Sequence, residues 1–204
     1  MVQDGFRYGA ALSGAAILLW WLAGAWFALP VLFAALFVMY FFRDPERTVP
    51  DGPFPLAVSP ADGRVVDIRD VEHNGSPFRR ISIFLSVFDV HVNRAPIAGV
   101  IRDVEYSRGQ FLVASRLEAS TANERNTVTV EGPGGTVVFK QIAGIIARRI
   151  VFWKKAGESV DRGERVGLIK FGSRVDVLLQ PDWEIVAKVG DRVRGGASVL
   201  ARKG

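Results

Sequence analysis

The dipeptide Gly172-Ser173 lies within an apolar, strand-like stretch, residues 169–177. Glycine leaves its carbonyl sterically open and tolerates a strained backbone, so the Ser173 hydroxyl can attack the Gly172 carbonyl if a base and an oxyanion stabiliser are present. The peptide bond would become an ester. Elimination from that ester would release a chain ending at Gly172 and leave dehydroalanine, which hydrolyses to a pyruvoyl group. Taken alone, the dipeptide is more typical of a plain strand serine beside a flexible glycine.

His91 is the candidate base for that attack. The chain has two histidines, and the other one, His73, lies among Asn-Gly and Ser-Pro pairs that predict an exposed turn. Residues 81–94 alternate with period two, so Asp89, His91 and Asn93 share one face if the run stays extended. An imidazole suits general acid–base catalysis near neutral pH. A hydrogen-bonded structural histidine is the alternative interpretation.

Asp62 is the third candidate, in the sequence Ser-Pro-Ala-Asp-Gly at 59–63. A carboxylate between proline and glycine is typical of a turn residue that bonds its own backbone. The same carboxylate can orient a catalytic histidine. The sequence leaves both interpretations open.

Four motifs occur in order along the chain: Ser-Pro-Ala-Asp-Gly at 59–63, Asp-Val-His-Val-Asn-Arg-Ala-Pro at 89–96, Asn-Glu-Arg-Asn at 123–126 and Phe-Gly-Ser-Arg at 171–174. Together with the hydrophobic N-terminus they resemble the short, pyruvoyl-dependent branch of the phosphatidylserine decarboxylase family, found in bacteria and archaea. The resemblance implies a self-processing triad in which His91 activates Ser173 and Asp62 orients His91. It also implies self-cleavage into a beta chain, residues 1–172, and an alpha chain, residues 173–204, with a covalent pyruvoyl cofactor derived from Ser173.

The motifs depart from those of the longer bacterial members of this family. Phe171 and Arg174 flank the cleavage dipeptide in place of leucine and threonine, and Arg94 stands where those members have a second histidine. The resemblance therefore assigns no residue of this chain the role of that second histidine. Arg94 is a candidate for binding a phosphate or carboxylate of the substrate, because its planar fork makes bidentate hydrogen bonds. A solvated arginine at the end of a strand is the alternative.

The resemblance implies an enzyme that converts phosphatidylserine to phosphatidylethanolamine and carbon dioxide. Archaetidylserine or a related phospholipid is an alternative substrate, since it carries the same reacting headgroup. A non-enzymatic alternative is a membrane-anchored adaptor with lipoyl-like hairpins. The absence of a sustained heptad pattern argues against such an adaptor.

Residues 9–42 contain no charged side chain, which predicts a membrane anchor over residues 1–42 and a catalytic domain over residues 43–204. Gly24 and Pro30 predict two helices that meet around residues 24–30, each shorter than a typical span, so either a re-entrant hairpin or two crossings fits. Basic residues on both flanks favour a cell-membrane protein whose catalytic domain is cytoplasmic.

Composition bounds the remaining function classes. The chain has no cysteine and two histidines, which argues against a disulfide framework or a metal site. The net charge of +5 is scattered along the chain, which favours an anionic membrane surface over nucleic acid. The expected partners are therefore the phospholipid, the membrane and the two chains of the cleaved protein, with homo-oligomerisation left open.

Downstream of residue 42 the sequence predicts a mainly β, barrel-sandwich-like fold. Strand patterns alternate with Gly, Pro, Asn and Asp turns, and residues 112–122 are the one predicted helix. Residues 157–166 and 190–199 share the pattern G-[ED]-x-V-x-x-G-x-x-V, which is typical of a paired hairpin repeat. Ser173 is predicted in the strand between the two copies.

Overall fold

The computed structural model describes residues 1–52, 55–111, 122–144, 149–170 and 172–204. These residues form two compact units, 1–46 and 47–204, and the division lies four residues beyond the anchor limit expected from the sequence. Residues 112–121, which are all but the last residue of the helix predicted over 112–122, and Phe171 lie outside the described part of the chain.

The first unit is a helical hairpin made of α1 (Gln3–Ala23) and α2 (Ala25–Phe41). Gly24 joins the helices at a φ of 90°, a backbone conformation that favours glycine. The Val2 N–H donates to the Phe42 carbonyl at 3.0 Å, so both ends of the hairpin meet. The predicted meeting of two helices near residue 24 is confirmed.

Helix α1 has 21 residues and spans about 32 Å at 1.5 Å per residue. It is long and apolar enough to cross a membrane, and α2, with 17 residues, is shorter. The expectation that both arms fall short of a span is therefore wrong for α1. The reason is that α1 begins at Gln3, within the polar N-terminus, rather than at the start of the uncharged segment.

Large aromatic side chains cover the turn of this hairpin. Trp21 is 80% exposed and Trp26 is 85% exposed, and their neighbours Trp20 and Phe27 are also exposed. A helix that is apolar on all sides and exposed is typical of a segment solvated by lipid.

The second unit consists of β-strands. They are β1 (Leu56–Val58), β2 (Gly63–His73), β3 (Ser76–Leu85), β4 (Val92–Arg94), β5 (Gly99–Ser107), β6 (Arg125–Gly132), β7 (Gly135–Ala143), β8 (Arg149–Phe152), β9 (Ser159–Val160), β10 (Arg165–Lys170), β11 (Ser173–Leu179), β12 (Trp183–Ile185), β13 (Arg192–Val193) and β14 (Val199–Lys203). The mainly β prediction is confirmed.

The strands form one large antiparallel sheet and two small ones. The large sheet curls into a half-barrel and has the order β13-β2-β3-β11-β7-β6-β5-β9. The small sheets have the orders β4-β10-β8 and β1-β14-β12. Strand β11 lies between β3 and β7, so Ser173 begins a central strand.

One face of β11 packs in the core. Val175 and Val177 pair across the sheet with Ile83 and Ile81 of β3, and all four are fully buried. Burial of each such side chain contributes about 1.5–3 kcal/mol. Because a slip of one residue would reverse both faces of the strand, this packing fixes the register that positions Ser173.

The run over residues 81–94 does not stay extended, so the condition for one shared face along it is not met. Strand β3 ends at Leu85, and a turn follows in which the Asp89 N–H donates to the Ser86 carbonyl at 3.0 Å. The chain resumes as β4 at Val92. Residues 86–90 therefore fold back instead of continuing one face.

The two copies of the sequence repeat have matching local geometry. Gly157 and Gly190 have φ values of 91° and 98°, and Gly163 and Gly196 have values of 78° and 76°. Yet the strands of each copy belong to different sheets: β9 and β13 join the large sheet, whereas β10 and β14 join the small ones. Within residues 157–170 and 190–203 each copy is a corner between sheets, so the paired hairpin is not confirmed.

Candidate active site

Ser173 is fully buried at the start of β11, opposite Leu85 of β3 and Ala143 of β7. Its Oγ atom has no hydrogen-bond partner within the described part of the chain. Gly172, just before it, has a φ of 43°, a left-handed conformation that costs other residues about 1–2 kcal/mol. The serine is thus a buried hydroxyl held at the end of a rigid strand, behind a conformation suited to glycine.

His91 is also fully buried, and its Nδ1 atom lies 2.9 Å from the Asp89 carbonyl oxygen. Because a carbonyl only accepts hydrogen bonds, Nδ1 carries the proton, and Nε2 of the neutral ring holds the basic lone pair. The His91 carbonyl accepts a hydrogen bond from the Ile169 N–H at 3.3 Å. This bond ties His91 to β10, four residues before Ser173.

A local turn positions the carbonyl that orients His91. The Ser86 N–H donates to Asp89 Oδ2 at 2.8 Å, and Asp89 Oδ1 lies 3.7 Å from the Arg192 guanidinium. The turn starts directly after Leu85, the strand partner of Ser173. Sequence reasoning missed this role of Asp89, and the Ser-x-x-Asp spacing is the signal that was available for it.

Asp62 lies in the loop before β2, and its side chain is 16% exposed. Oδ2 accepts a hydrogen bond from Arg47 at 2.7 Å, and Oδ1 accepts one from the Gly195 N–H at 2.7 Å. Asp62 thereby connects the start of the β domain to the corner between β13 and β14. The hydrogen-bond acceptor at His91 Nδ1 is the backbone carbonyl of Asp89, whereas the sequence predicted that Asp62 would orient His91.

Arg94 is 6% exposed, so the interpretation of a solvated arginine is wrong. Its Nη1 donates to the Gly163 carbonyl at 3.0 Å, and its backbone N–H donates to the Pro60 carbonyl at 2.9 Å. The reason for its burial is that β4 lies beside β10 and the glycine corners of the repeat, where Gly196 packs against the Arg94 stem.

Buried amides brace the strands around Ser173. Asn123 Nδ2 donates at 2.7 Å to the carbonyl of Ala143, the residue opposite Ser173. Asn126 of the same motif donates to Gln141, and Gln141 donates to Asn93. Sequence reasoning singled out the motif but missed Gln141, because contacts across strands depend on register.

The opposite face of β11 carries a buried ion pair. Arg174 Nε donates to Asp176 Oδ1 at 2.6 Å, and Arg174 Nη2 donates to Ser82 Oγ at 2.6 Å. Arg174 and Asp176 are both fully buried. Lys140 lies opposite Asp176 on β7, and burial lowers the pKa of its amine.

Among the described residues, no cluster of His, Cys, Asp and Glu side chains is suited to hold a metal ion. The groups described above that are suited to chemistry are the Ser173 hydroxyl, the His91 imidazole and the buried amides. This inventory fits covalent and acid–base chemistry on organic groups.

Comparison with known proteins gives the class first. Residues 34–201 match the family model described as phosphatidylserine decarboxylase, a class of carboxy-lyases. The chain is 59% identical to a phosphatidylserine decarboxylase proenzyme of Solibacter usitatus over 203 residues, covering 100% of this chain and 97% of the relative.

Two further relatives carry the same description. The Salinibacter ruber protein is 51% identical over 81% of this chain and 75% of its own length. The Symbiobacterium thermophilum protein is 45% identical over 99% of this chain and 95% of its own length. The chain therefore belongs to the phosphatidylserine decarboxylase family.

Proposed function

We propose that this chain is a self-processing proenzyme that converts phosphatidylserine to phosphatidylethanolamine and carbon dioxide. The observation that carries the proposal is the buried Ser173 hydroxyl, which has no hydrogen-bond partner and follows a glycine with positive φ. Family membership supports the reaction. An adaptor role has no comparable support, since adaptors have no use for such a hydroxyl.

Self-cleavage would begin when His91 Nε2 takes the proton from Ser173 Oγ. Oγ then adds to the Gly172 carbonyl carbon, the C–N bond breaks, and the proton passes to the departing amine, which gives an ester. Removal of the Ser173 α-proton expels the Gly172 carboxylate and leaves dehydroalanine at residue 173. Water then hydrolyses the dehydroalanine with release of its nitrogen as ammonia, which completes a pyruvoyl group. In this proposal Asp62 supports the charge that develops on His91.

The surroundings of Ser173 suit a pyruvoyl group. The neighbours across the sheet, Leu85 and Ala143, are apolar and fully buried. Conversion of the side chain to a methyl group would therefore remove no hydrogen bond and would place an apolar group in an apolar site. The ketone of a pyruvoyl group supplies an electrophile that condenses with the substrate amine and accepts the electrons left by decarboxylation.

The chain's own residues would bind and protonate the lipid headgroup. His91 is the candidate donor of the proton that replaces the carboxylate on the substrate carbon. Arg94 is the candidate partner of the lipid phosphate, since a guanidinium offers several donors in one plane. If so, Arg94→Lys should leave self-cleavage intact and weaken substrate binding.

Intact mass tests the covalent part of the proposal. The purified protein should consist of residues 1–172 and residues 173–204, and the smaller chain should resist Edman degradation because it begins with a ketone. Ser173→Ala should remain one chain. The processed protein should release carbon dioxide from phosphatidylserine. A single uncleaved chain with a normal N-terminus, or a cleaved chain without decarboxylase activity, would contradict the proposal.

We further propose that the helical hairpin holds the enzyme at the cell membrane with the β domain on the cytoplasmic side. Its two ends meet at Val2 and Phe42, and Arg7 and Arg43 lie near those ends, as the positive-inside tendency favours. A protein that begins at Arg43 should still cleave itself but act poorly on vesicles, with activity recovered on short-chain lipid. Equal activity on vesicles would contradict this access role.

The lipid backbone stays a separate question. Archaetidylserine presents the same serine headgroup on a different backbone, so it is a second candidate substrate. Competition between short-chain phosphatidylserine and archaetidylserine for the processed enzyme would rank them.

A further inference from the structure

Three buried amide side chains form a hydrogen-bonded series that runs from β6 through β7 to β4. Asn126 Nδ2 donates to Gln141 Oε1 at 3.1 Å, and Gln141 Nε2 donates to Asn93 Oδ1 at 2.8 Å. All three side chains are buried. Gly167 makes room for these amides, because a Cβ atom at that position would lie 3.0 Å from Gln141 Nε2.

Among the described residues, none is hydrogen-bonded to the Nδ2 atom of Asn93, although this residue is 0% exposed. Such a buried, unsatisfied amide costs about 1–3 kcal/mol and calls for an explanation. Because Gln141 Nε2 donates to Oδ1, Nδ2 is the atom of this amide that is left for another acceptor. The structure therefore holds a hydrogen-bond donor in place without using it.

Strand register locates this donor near residue 173. Gln141 pairs with Val175, and Ala143 pairs with Ser173, so Gln141 and Ser173 lie on the same face of the large sheet. Diagonal neighbours on an antiparallel pair lie about 7–8 Å apart. Asn93 is hydrogen-bonded to Gln141 and follows His91 by two residues, so the unused donor lies in the same region of the fold as both candidate catalytic residues.

We propose that Asn93 Nδ2 binds the carboxylate of the serine headgroup, the group that leaves as carbon dioxide. This inference rests on the proposed function and deepens it. A carboxylate is the acceptor that phosphatidylserine has and phosphatidylethanolamine lacks, so this one contact would separate substrate from product. Asn93 Nδ2 would then gain its acceptor only when the lipid binds.

The chemistry of an amide suits a departing carboxylate. A bidentate arginine would stabilise the negative charge that decarboxylation must remove, and so would favour the ground state over the transition state. A neutral amide orients the carboxylate with a weaker bond. The buried guanidinium of Arg174 lies on the other face of β11, where it is paired with Asp176.

Asn93→Asp provides a near-isosteric test. The new carboxylate still accepts the hydrogen bond from Gln141, but an acceptor replaces the donor at Nδ2. In the full-length Ser173→Ala protein, which cannot react, Asn93→Asp should weaken binding of short-chain phosphatidylserine about 10- to 100-fold, as measured by calorimetry. Binding of short-chain phosphatidylethanolamine should change less than about twofold.

Asn126→Asp is the matched control, because Asn126 is bonded to Gln141 on the side away from Asn93. It should lower stability and change the affinities for both lipids by the same factor. In the cleavable protein, Asn93→Asp should still give two chains, and its KM for phosphatidylserine should rise while the inhibition constant of phosphatidylethanolamine stays constant.

Equal weakening of both lipids by Asn93→Asp would assign Asn93 to the fold and overturn the inference. A folded Asn93→Asp protein that does not cleave would move the donor's role to self-processing and would also overturn it. If the aspartate variant does not fold, Asn93→Ala removes the donor without adding charge and should show the same lipid selectivity. Failure of the wild type to cleave or decarboxylate would refute the proposed function, whereas the binding comparison still decides the role of Asn93.

Discussion

The two faces of strand β11 differ in how their polar groups are satisfied. Ser173 faces the apolar core, and its buried hydroxyl has no partner. Arg174 and Asp176 face the other way and form an ion pair, and Arg174 also donates a hydrogen bond to Ser82. One strand therefore carries an unsatisfied neutral group on one face and satisfied charges on the other.

This difference separates reactive groups from structural ones. Charge does not mark the reactive face, because the Arg174–Asp176 pair is fully buried and each partner compensates the other. An unsatisfied group keeps its bonding capacity for a reaction or a ligand, at a cost in stability. Ser173 Oγ and Asn93 Nδ2 are two such groups. We expect substitutions of the unsatisfied groups Ser173 and Asn93 to change chemistry, and substitutions of the Arg174–Asp176 pair to change stability.

The largest effect is expected at His91. His91→Asn retains a short amide that can donate to the Asp89 carbonyl, but it removes the base at Nε2. Self-cleavage should slow by about 10²- to 10⁴-fold, the usual contribution of a general base. The ratio of uncleaved to cleaved protein on denaturing gels, followed over time, measures the rate of self-cleavage. His73→Asn is the control, since His73 is half-buried against Phe78 at the far end of β2. Normal cleavage in folded His91→Asn would give the role of base to another group.

The opposite face should respond through stability. Asp176→Leu leaves the Arg174 charge buried and uncompensated, so we expect a loss of about 3–5 kcal/mol in the free energy of unfolding. The double variant Arg174→Met with Asp176→Leu should recover most of that loss, because it removes both charges. Urea unfolding in the uncleaved His91→Asn background gives the values. A small effect of Asp176→Leu would mean that water or another group compensates Arg174.

Two buried serines allow a direct comparison of the faces. Ser82→Ala removes the acceptor of Arg174 Nη2 and should destabilise the protein by about 1–3 kcal/mol. Ser173→Ala removes a buried hydroxyl that has no partner among the described residues, so the free energy of unfolding should be unchanged or rise by up to about 1–3 kcal/mol. Both variants are measured in the uncleaved His91→Asn background. Conversely, Ser82→Ala in the cleavable chain should still process. A large loss in Ser173→Ala would show that its hydroxyl is structural.

The sequence was sufficient for features that depend on local pattern. Alternation predicted the mainly β domain, and Gly24 within an uncharged segment predicted the helical hairpin. The period-two pattern failed at residues 86–90, because hydrogen bonds between Ser86 and Asp89 fold the chain back there. Spacing gave no signal for the partner of Asn93, since Gln141 is 48 residues away and only sheet register brings them together.

The repeated G-[ED]-x-V pattern shows the same limit in another form. Its glycines and turns are reproduced in both copies, because they depend on backbone conformation within a few residues. The pairing of its strands is not local. Each copy sends its two strands to different sheets, and packing of the whole domain decides that outcome.

The smallest expected effect concerns Asp62, which accepts hydrogen bonds from Arg47 and from the Gly195 N–H. Asp62→Asn keeps an acceptor for the Gly195 N–H but removes the negative charge, whereas Arg47→Gln keeps the charge and removes its partner. If the Asp62 charge supports the imidazolium of His91, Asp62→Asn should slow self-cleavage about tenfold, which corresponds to about 1.4 kcal/mol. Arg47→Gln should stay within about threefold of the wild type, because removing a cation leaves that support in place. Cleavage rates at matched stability, set by adjusting urea, separate this effect from unfolding. Equal rates in both variants would restrict Asp62 to holding the loop before β2.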